Sequence, residues 1–563
     1  MQQFFYDAIE RALEELGMTD TAFVVERPSD SSHGDYSTNA ALVAAKQLGK
    51  NPREVAEELK KKLVSEIKIV EKIEIAGPGF INFFLSHDAI LGEVQKAANK
   101  EWATILSDVE GKTIMVEYTD PNPFKEFHIG HLMSNTIGES IARILEHVGA
   151  TVIRANYQGD VGPHVAKALF VLLETGQTNP KVSDISLAYV EGARMYEDDP
   201  AKKELIDQLN KHIYQQYEEV TDEKVWSLYQ KGRTLTLEHF EELYYLLGTT
   251  FDLYFFESET ATKGMEVVRR HTHIFEPSEG AIVFHGEDYG LHTRVFVNRL
   301  GLPTYETKDI GLAEVKKEKA AFDLSITITA NEQDDYFKVI FKALELVHPD
   351  WAGQFQHISH GMMRFAEGKM SSRKGNVITG ESLLMDIKDA AKEKMLGRVL
   401  KDVEKTAEQV AVGAIKYAVL KQGSGKDIVF DPEKSLSIEG DSGPYLQYAH
   451  TRAVSLLRAA HSAGIAGSSN LSTSNATASH LRCVLERTLL HYSEVVARAA
   501  AELEPHHITT YLTELASNFN SWYANERVIG SDNPEYGVLL VQAFAHTMRS
   551  GLHLLGIPTP EEM

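Results

Sequence analysis

The spacing of hydrophobic and polar positions changes several times along the chain, and each change marks an element. In KNPREVAEELKKKLVSE, residues 50–66, Val55, Leu59 and Leu63 recur every four positions, which predicts a helix with one buried face. Asn51 stands as its N-cap, Pro52 at its first position and Glu54 three residues after the cap. VEKIEIAGPGFINFFL, residues 70–85, alternates as a strand does and is broken by the turn Gly77–Pro78–Gly79. Residues 1 to about 105 therefore read as a small α+β unit.

A different pattern begins near residue 112. TIMVEY is a short buried-strand run, and GHLMSNTIGESIARILEHVG, residues 130–149, is a helix with Leu132, Ile137, Ile141, Ile144 and Val148 on its inner stripe and Gly149 at its end. TVIRANY follows as the next strand, and strand, helix, strand in so short a stretch predicts a βαβ unit and a parallel sheet. Residues from about 165 to 280 are mostly helical, rich in charge and tyrosine, and read as an insertion. Strand-like runs return at AIVFH, RVFVN and LSITITA, followed by the apolar helix DYFKVIFKALELV. Beyond about residue 405 almost everything is helical, with Ile508, Leu512, Leu515, Phe519 and Trp522 at alternating spacings of four and three. The uncharged AGSSNLSTSNATAS, residues 466–479, reads as a flexible loop between helices.

Composition narrows the class. At 563 residues the chain has room for two to four domains. No apolar run is long enough to cross a bilayer, and the N-terminal MQQFFYDAIERALEELG carries acids inside a helical pattern, unlike a signal peptide. One cysteine, Cys483, excludes an intrachain disulfide and a cysteine-based metal cage and fits a reducing cytoplasm. The net charge of −24 disfavours a protein that binds nucleic acid over its whole surface, but leaves room for a local basic face.

Two segments carry candidate chemistry. DPNPFKEFHIGH, residues 120–131, puts His128 and His131 around Gly130 where the first strand of the parallel sheet gives way to its helix. A metal site, a capped turn and a phosphate cradle all fit this pattern. The metal reading needs a third or fourth ligand, and the segment offers none. The cradle reading uses the free N–H groups at the helix start, with imidazole hydrogen bonds added. EGKMSSRKGNVI, residues 367–378, sets Lys369, Arg373 and Lys374 between Gly368 and Gly375, with Glu367 its only acid. Such a basic loop in an acidic chain is suited to neutralise phosphoryl oxygens as charge shifts in a transition state.

HIGH and KMSSR, about 240 residues apart, resemble the two signature motifs of class I aminoacyl-tRNA synthetases. The fuller resemblance is to arginyl-tRNA synthetases and spans nearly the whole chain. It rests on VEYTDPNPFKEFHIGH, PTYETKDIGLA, FDPEKSLSIEGDSGPYLQYAHTR, GLHLLGIPTPEEM and, at the N-terminus, HGDYSTNAALVAAKQLGKNPREVAEEL and AGPGFINFFL. The resemblance implies an α/β protein with a Rossmann-type catalytic core at 106–404 that holds the helical insertion. It also implies an α+β domain at 1–105 that touches the tRNA elbow and an all-α bundle at 405–563 that reads the anticodon. The activity implied is ATP-dependent ligation of arginine to tRNA(Arg) through an arginyl-adenylate, with Mg²⁺ on the nucleotide, no structural metal, no membrane and a monomeric, cytoplasmic enzyme. Adenylate would form only with tRNA bound.

The resemblance also assigns residues. His128 and His131 would stabilise the phosphates, with Lys125, Lys369, Arg373 and Lys374 neutralising the leaving pyrophosphate and Phe127, Gly130, Met370 and Ser371 around the ATP. Ser372 stands where the class has a second lysine; Lys125 is the family's compensating residue, and Arg373 or Lys374 could also serve. Arginine would meet Glu117, Asn122, Tyr305, Asp309 and Gln333. Tyr305 and Asp309 are four apart, so a helix puts both on one face, and a planar guanidinium calls for acceptors of this kind. Asp160 and His164, in NYQGDVGPHVAK, either line the adenosine or arginine site or make a turn. In the C-terminal half, Tyr445, Gln447, Tyr448, Arg452, Trp522, Tyr523 and Arg527 could meet anticodon bases or belong to a core, so the expectation attaches to the domain and not to single residues. A cysteinyl-type enzyme would need cysteine-coordinated zinc. A non-catalytic tRNA-binding relative would be expected to lack His128, His131 or Lys369, and a small nucleotidyltransferase would not need the helical half.

Overall fold

The side-chain oxygen of Asn51 accepts the backbone N–H of Arg53 at 2.9 Å, and Pro52 opens the helix that follows. The computed structural model describes residues 1–28, 30–102, 106–366, 378–467 and 483–563. The chain forms two compact units, one of residues 1–104, 448–498 and 510–551, the other of residues 105–447, 499–509 and 552–563. The first begins with α1 (Gln2–Glu14), β1 (Val25–Glu26), β2 (Tyr36–Thr38), α2 (Ala40–Leu48), α3 (Pro52–Glu66), β3 (Val70–Ala76), β4 (Phe80–Leu85) and α4 (His87–Asn99). Its antiparallel sheet has the order β1-β2-β4-β3. Val55, Leu59 and Leu63 are wholly buried in the core beneath that sheet, so Leu59→Ala should cost about 2–5 kcal/mol. The β3–β4 turn requires glycine at its end: Gly79 has φ +144°, and an added Cβ would meet Pro52 at 3.1 Å.

The second unit contains β5 (Thr113–Glu117), α5 (Ile129–His147), β6 (Thr151–Gln158), α6 (Pro163–Glu174), α7 (Val182–Asp198), α8 (Pro200–Glu218), α9 (Glu223–Leu247), β7 (Leu253–Phe256) and α10 (Glu257–Arg270). It continues with β8 (Glu276–Ser278), β9 (Ala281–Phe284), β10 (Arg294–Val297), α11 (Tyr305–Lys319), β11 (Leu324–Ala330), α12 (Asp334–Val347), β12 (Phe355–His360) and β13 (Met363–Phe365), then α13 (Gly380–Lys394), α14 (Val403–Leu420), β14 (Ile428–Phe430) and α15 (Pro432–Ser435). A parallel sheet of order β12-β11-β5-β6-β7 forms its centre. The order reverses at β5, and the carboxyl ends beside such a reversal are where open α/β sheets bind ligands.

Two features depart from the sequence reading. The stretch read as one helical insertion contains β7, an edge strand of the central sheet; its LYFF run is too short and too flanked by helices to stand out by periodicity. Helix α5 was expected to bury one stripe, yet Ser134, Asn135, Thr136, Glu139 and Ser140 are buried as well. The helix lies between the sheet and α13 and α14, so no face of its middle turns is left to water.

The C-terminal helices are α16 (Gly443–Ser462), α17 (Val484–Leu490), α18 (Tyr492–Glu502), α19 (His506–Asn525) and α20 (Pro534–Leu554). Leu512, Leu515 and Phe519 are fully buried, and the Phe519 ring stacks on Phe544 at 3.8 Å; Trp522, expected on the same stripe, is partly exposed at its edge. No helix among the described residues is long and apolar enough to cross a membrane.

Candidate active site

Between β5 and α5 the backbone takes an unusual path. Thr119, Asp120 and Phe124 all have positive φ, at 83°, 48° and 67°, conformations that cost non-glycine residues of order 1–3 kcal/mol each. Hydrogen bonds offset that cost. Thr119 N–H donates to Ser134 Oγ at 3.0 Å, Ser134 Oγ–H donates to the Ile328 carbonyl at 2.7 Å, and Asn135 Nδ2 donates to Thr119 Oγ1 at 3.0 Å. The Tyr157 N–H donates to Asp120 Oδ1 at 2.7 Å. The loop is thus pinned to α5, β6 and β11 at once.

At its end His128 is the N-cap of α5. Its Nδ1 accepts the His131 N–H at 3.3 Å, and His131 Nδ1 accepts the His128 N–H at 3.2 Å. The two rings stack at 3.4 Å. Both Nδ1 atoms are therefore acceptors, which places each proton on Nε2 and leaves two Nε2–H groups as donors. Burial, with Lys125 and His360 nearby, pulls His128 down to about 4, and burial followed by His128 and Lys125 pulls His131 well below the ordinary range. At neutral pH both are uncharged donors. An added Cβ at Gly130 would meet His128 Cε1 at 2.9 Å, so the glycine between the histidines is what lets the ring fold back over the helix start.

Beside this loop lies a cavity of about 450 Å³. All five residues expected to hold arginine line it: Glu117, Asn122, Tyr305, Asp309 and Gln333. Sequence reasoning missed Asp120, Glu257, Arg294, Glu306 and Lys316, which line it too. Glu257 lies just past β7, inside the stretch read as insertion, whereas Lys316 follows Asp309 by seven residues, two turns along α11, a spacing that could have been noticed.

Most of the carboxylates already have cations. Glu117 pairs with Lys316 at 2.8 Å, Glu257 with Lys308 at 2.5 Å and Glu306 with Arg294 at 3.7 Å. Asp309 and Asp120 have none among the described residues. Burial pushes Asp309 up to about 7 although the Tyr336 hydroxyl donates to it at 2.6 Å. Burial and then Glu117 hold Asp120 well above the usual carboxylate range. Two carboxyl groups of the wall, Asp309 and Asp120, are thus left without a cation among the described residues.

The other expected residues fall out unevenly. Lys125 is partly buried, its Nζ 5.4 Å from the Tyr189 ring centroid, and burial lowers its pKa. Phe127 is buried against His131. Asp160 is fully buried and accepts from Arg233 Nε at 2.9 Å and from Ser258 N and Oγ at 2.9 and 2.8 Å; it joins elements and does not line the cavity. His164 bonds the Gly159 carbonyl at 2.7 Å and is likewise outside the cavity wall. Lys369, Met370, Ser371, Ser372, Arg373 and Lys374 lie outside the described residues. Of the C-terminal candidates, Gln447 is fully buried and donates to the Gln409 and Pro558 carbonyls, the Arg452 guanidinium stacks 4.1 Å from the Tyr523 ring centroid, and Arg527 is exposed.

Three family models match successive parts of the chain. The family described as tRNA synthetases class I (R), catalytic domain, matches residues 93–432; DALR anticodon binding domain matches 446–563; Arginyl tRNA synthetase N terminal domain matches 3–85. The arginine–tRNA ligase of Limosilactobacillus reuteri is 32% identical, with 99% of this chain and 98% of the relative aligned. That of Fusobacterium nucleatum is 32% identical over 95% of this chain and 94% of its own. The solved arginyl-tRNA synthetase of Thermus thermophilus superposes over the full length of both chains with a TM-score of 0.82 at 28% identity. The Plasmodium falciparum arginyl-tRNA synthetase shares the fold, with a TM-score of 0.81 at 20% identity over 100% of this chain and 99% of its own.

Proposed function

The chain belongs to the arginyl-tRNA synthetases of class I and charges tRNA with arginine for protein synthesis, and we propose how its residues divide that work. ATP enters as its Mg²⁺ complex. The arginine carboxylate attacks the α-phosphate, the bond to the β-phosphate breaks, and pyrophosphate leaves arginyl-adenylate behind. A terminal ribose hydroxyl of tRNA then attacks the activated carbonyl and AMP departs.

The two neutral Nε2–H groups of His128 and His131, at the positive end of α5, donate to phosphate oxygens. Donors fixed in advance stabilise the transition state without reorganising when charge develops. Lys125, with Lys369, Arg373 and Lys374, neutralises the departing pyrophosphate, and Phe127, Gly130, Met370 and Ser371 surround the nucleotide. Glu117 and Asn122 hold the backbone end of arginine; Tyr305, Asp309 and Gln333 hold its guanidinium. Asp160 and His164 keep the wall of the site in place. Residues 1–105 contact the tRNA elbow and residues 405–563 the anticodon. The enzyme acts as a monomer in the cytoplasm.

The carrying observation is Asp309, a half-buried carboxylate in the cavity wall with no cation partner among the described residues. An arginine side chain supplies the missing charge in a bidentate geometry. Binding of arginine is to be compared with that of citrulline, its uncharged isostere. Wild-type protein should prefer arginine by roughly 10⁴, the discrimination expected of a pocket built on specific polar contacts. Asp309→Asn should lose most of that preference. An unchanged preference in Asp309→Asn would refute the assignment.

A further inference from the structure

We infer that Tyr189, on the helical insertion, is a positioning residue that holds the Lys125 ammonium ready for the triphosphate. The inference rests on the reading that Lys125 meets that triphosphate. Among the described residues Lys125 makes no ion pair; its nearest carboxylate influence, Glu257, is bound to Lys308 at 2.5 Å. What its Nζ does face is the Tyr189 ring, 5.4 Å from the centroid.

This kind of partner suits a cation that must be handed over. A carboxylate would neutralise the lysine and compete with phosphate for it. A ring face attracts the ammonium but leaves its three N–H donors unspent. Two features fix the helix that carries the ring. Tyr189 and Tyr196 are seven residues apart on α7, two turns along one face, and Tyr196 carries Lys167 at 4.3 Å in the same manner. Three residues past Tyr189, α7 touches α6 so closely that a Cβ at Gly192 would meet the Lys167 carbonyl oxygen at 2.2 Å. The close packing of α7 on α6 therefore fixes the backbone from which the Tyr189 ring projects. The insertion thus reaches Lys125 through an aromatic side chain.

The test is tRNA-dependent ATP–pyrophosphate exchange by wild type, Tyr189→Leu, Tyr189→Phe, Lys125→Ala and the Lys125→Ala/Tyr189→Leu double variant, with thermal melting as the folding control. Tyr189→Leu should lower the turnover of exchange by about three- to thirty-fold, the span of cation–π contacts from exposed to desolvated, with KM for arginine unchanged. Tyr189→Phe keeps the ring face and should restore exchange to within about twofold of wild type. In the Lys125→Ala background Tyr189→Leu should cost nothing further. Full exchange in Tyr189→Leu, or an equal loss with and without Lys125, overturns the inference alone. Full exchange in Lys125→Ala overturns the reading of Lys125 and the inference with it.

Discussion

Lys316 reaches Glu117 with 2.8 Å between Nζ and Oε2, both side chains only 3% exposed, in the wall of the cavity. Glu117 ends β5 and Lys316 sits on α11, so the pair joins the central strand to the helix that carries Asp309. The Thr327 hydroxyl donates to the second Glu117 oxygen at 3.1 Å, and Lys316 also donates to Ser325 at 3.1 Å.

Removing one partner of such a pair strands the other in low dielectric. Lys316→Met should therefore destabilise the protein by about 3–5 kcal/mol, seen as a lower thermal midpoint. Glu117→Gln/Lys316→Met should recover most of that loss while KM for arginine stays raised. A Lys316→Met protein that melts like wild type would mean the pair contributes nothing to the fold.

Arginine binding should follow the ionisation of Asp309. Its free-state pKa is raised to about 7 by burial, and only the carboxylate attracts a guanidinium. As pH rises through 7 the carboxylate fraction grows and KM for arginine falls. Below that point KM should rise roughly tenfold per pH unit, and above it level off. Asp309→Asn should bind weakly at every pH, with no such slope. A slope that survives in Asp309→Asn would assign the titration to another group.

Adenylate formation at saturating arginine should show no inflection between pH 6 and 8. His128 is lowered to about 4 and His131 well below its usual value, so both stay neutral across that window. A rate that falls with a midpoint near the ordinary histidine value of about 6.5 would show that the imidazoles work as cations instead.

Gly130→Ala should behave as a partial loss of His128. The new methyl would lie 2.9 Å from the His128 ring, which must swing away and give up its bond to the His131 N–H. Exchange activity should fall about tenfold or more, since a fixed donor is worth roughly 10²–10³ in rate. In a His128→Ala background the same change should add little. Additive losses would place the role of Gly130 elsewhere.

Much of this site was legible in the sequence because its signals are local. The cap at Asn51, the glycine-broken hairpin and the strand–helix junction at His128 each follow from residues within a few positions of one another. The Tyr305–Asp309 spacing likewise put two wall residues on one helix turn, as observed. What escaped notice depends on distant contacts. Glu257 follows a four-residue edge strand whose identity comes from pairing with β6, about a hundred residues earlier. The burial of the polar positions on α5 depends on α13 and α14, far along the chain. The Nδ1 exchange between His128 and His131 requires backbone torsions that no periodicity encodes, although residue types three apart at a helix start could have suggested a reciprocal cap.

The most direct measurement is single-turnover chemistry resolved into its two steps in His131→Ala. Its imidazole is assigned to the phosphate oxygens that gain charge as pyrophosphate leaves, and that bond breaks only in adenylate formation. That step should slow by about 10²–10³, while transfer from preformed arginyl-adenylate to tRNA keeps its rate. Adenylate formation at the wild-type rate, or an equal slowing of both steps, would contradict the account.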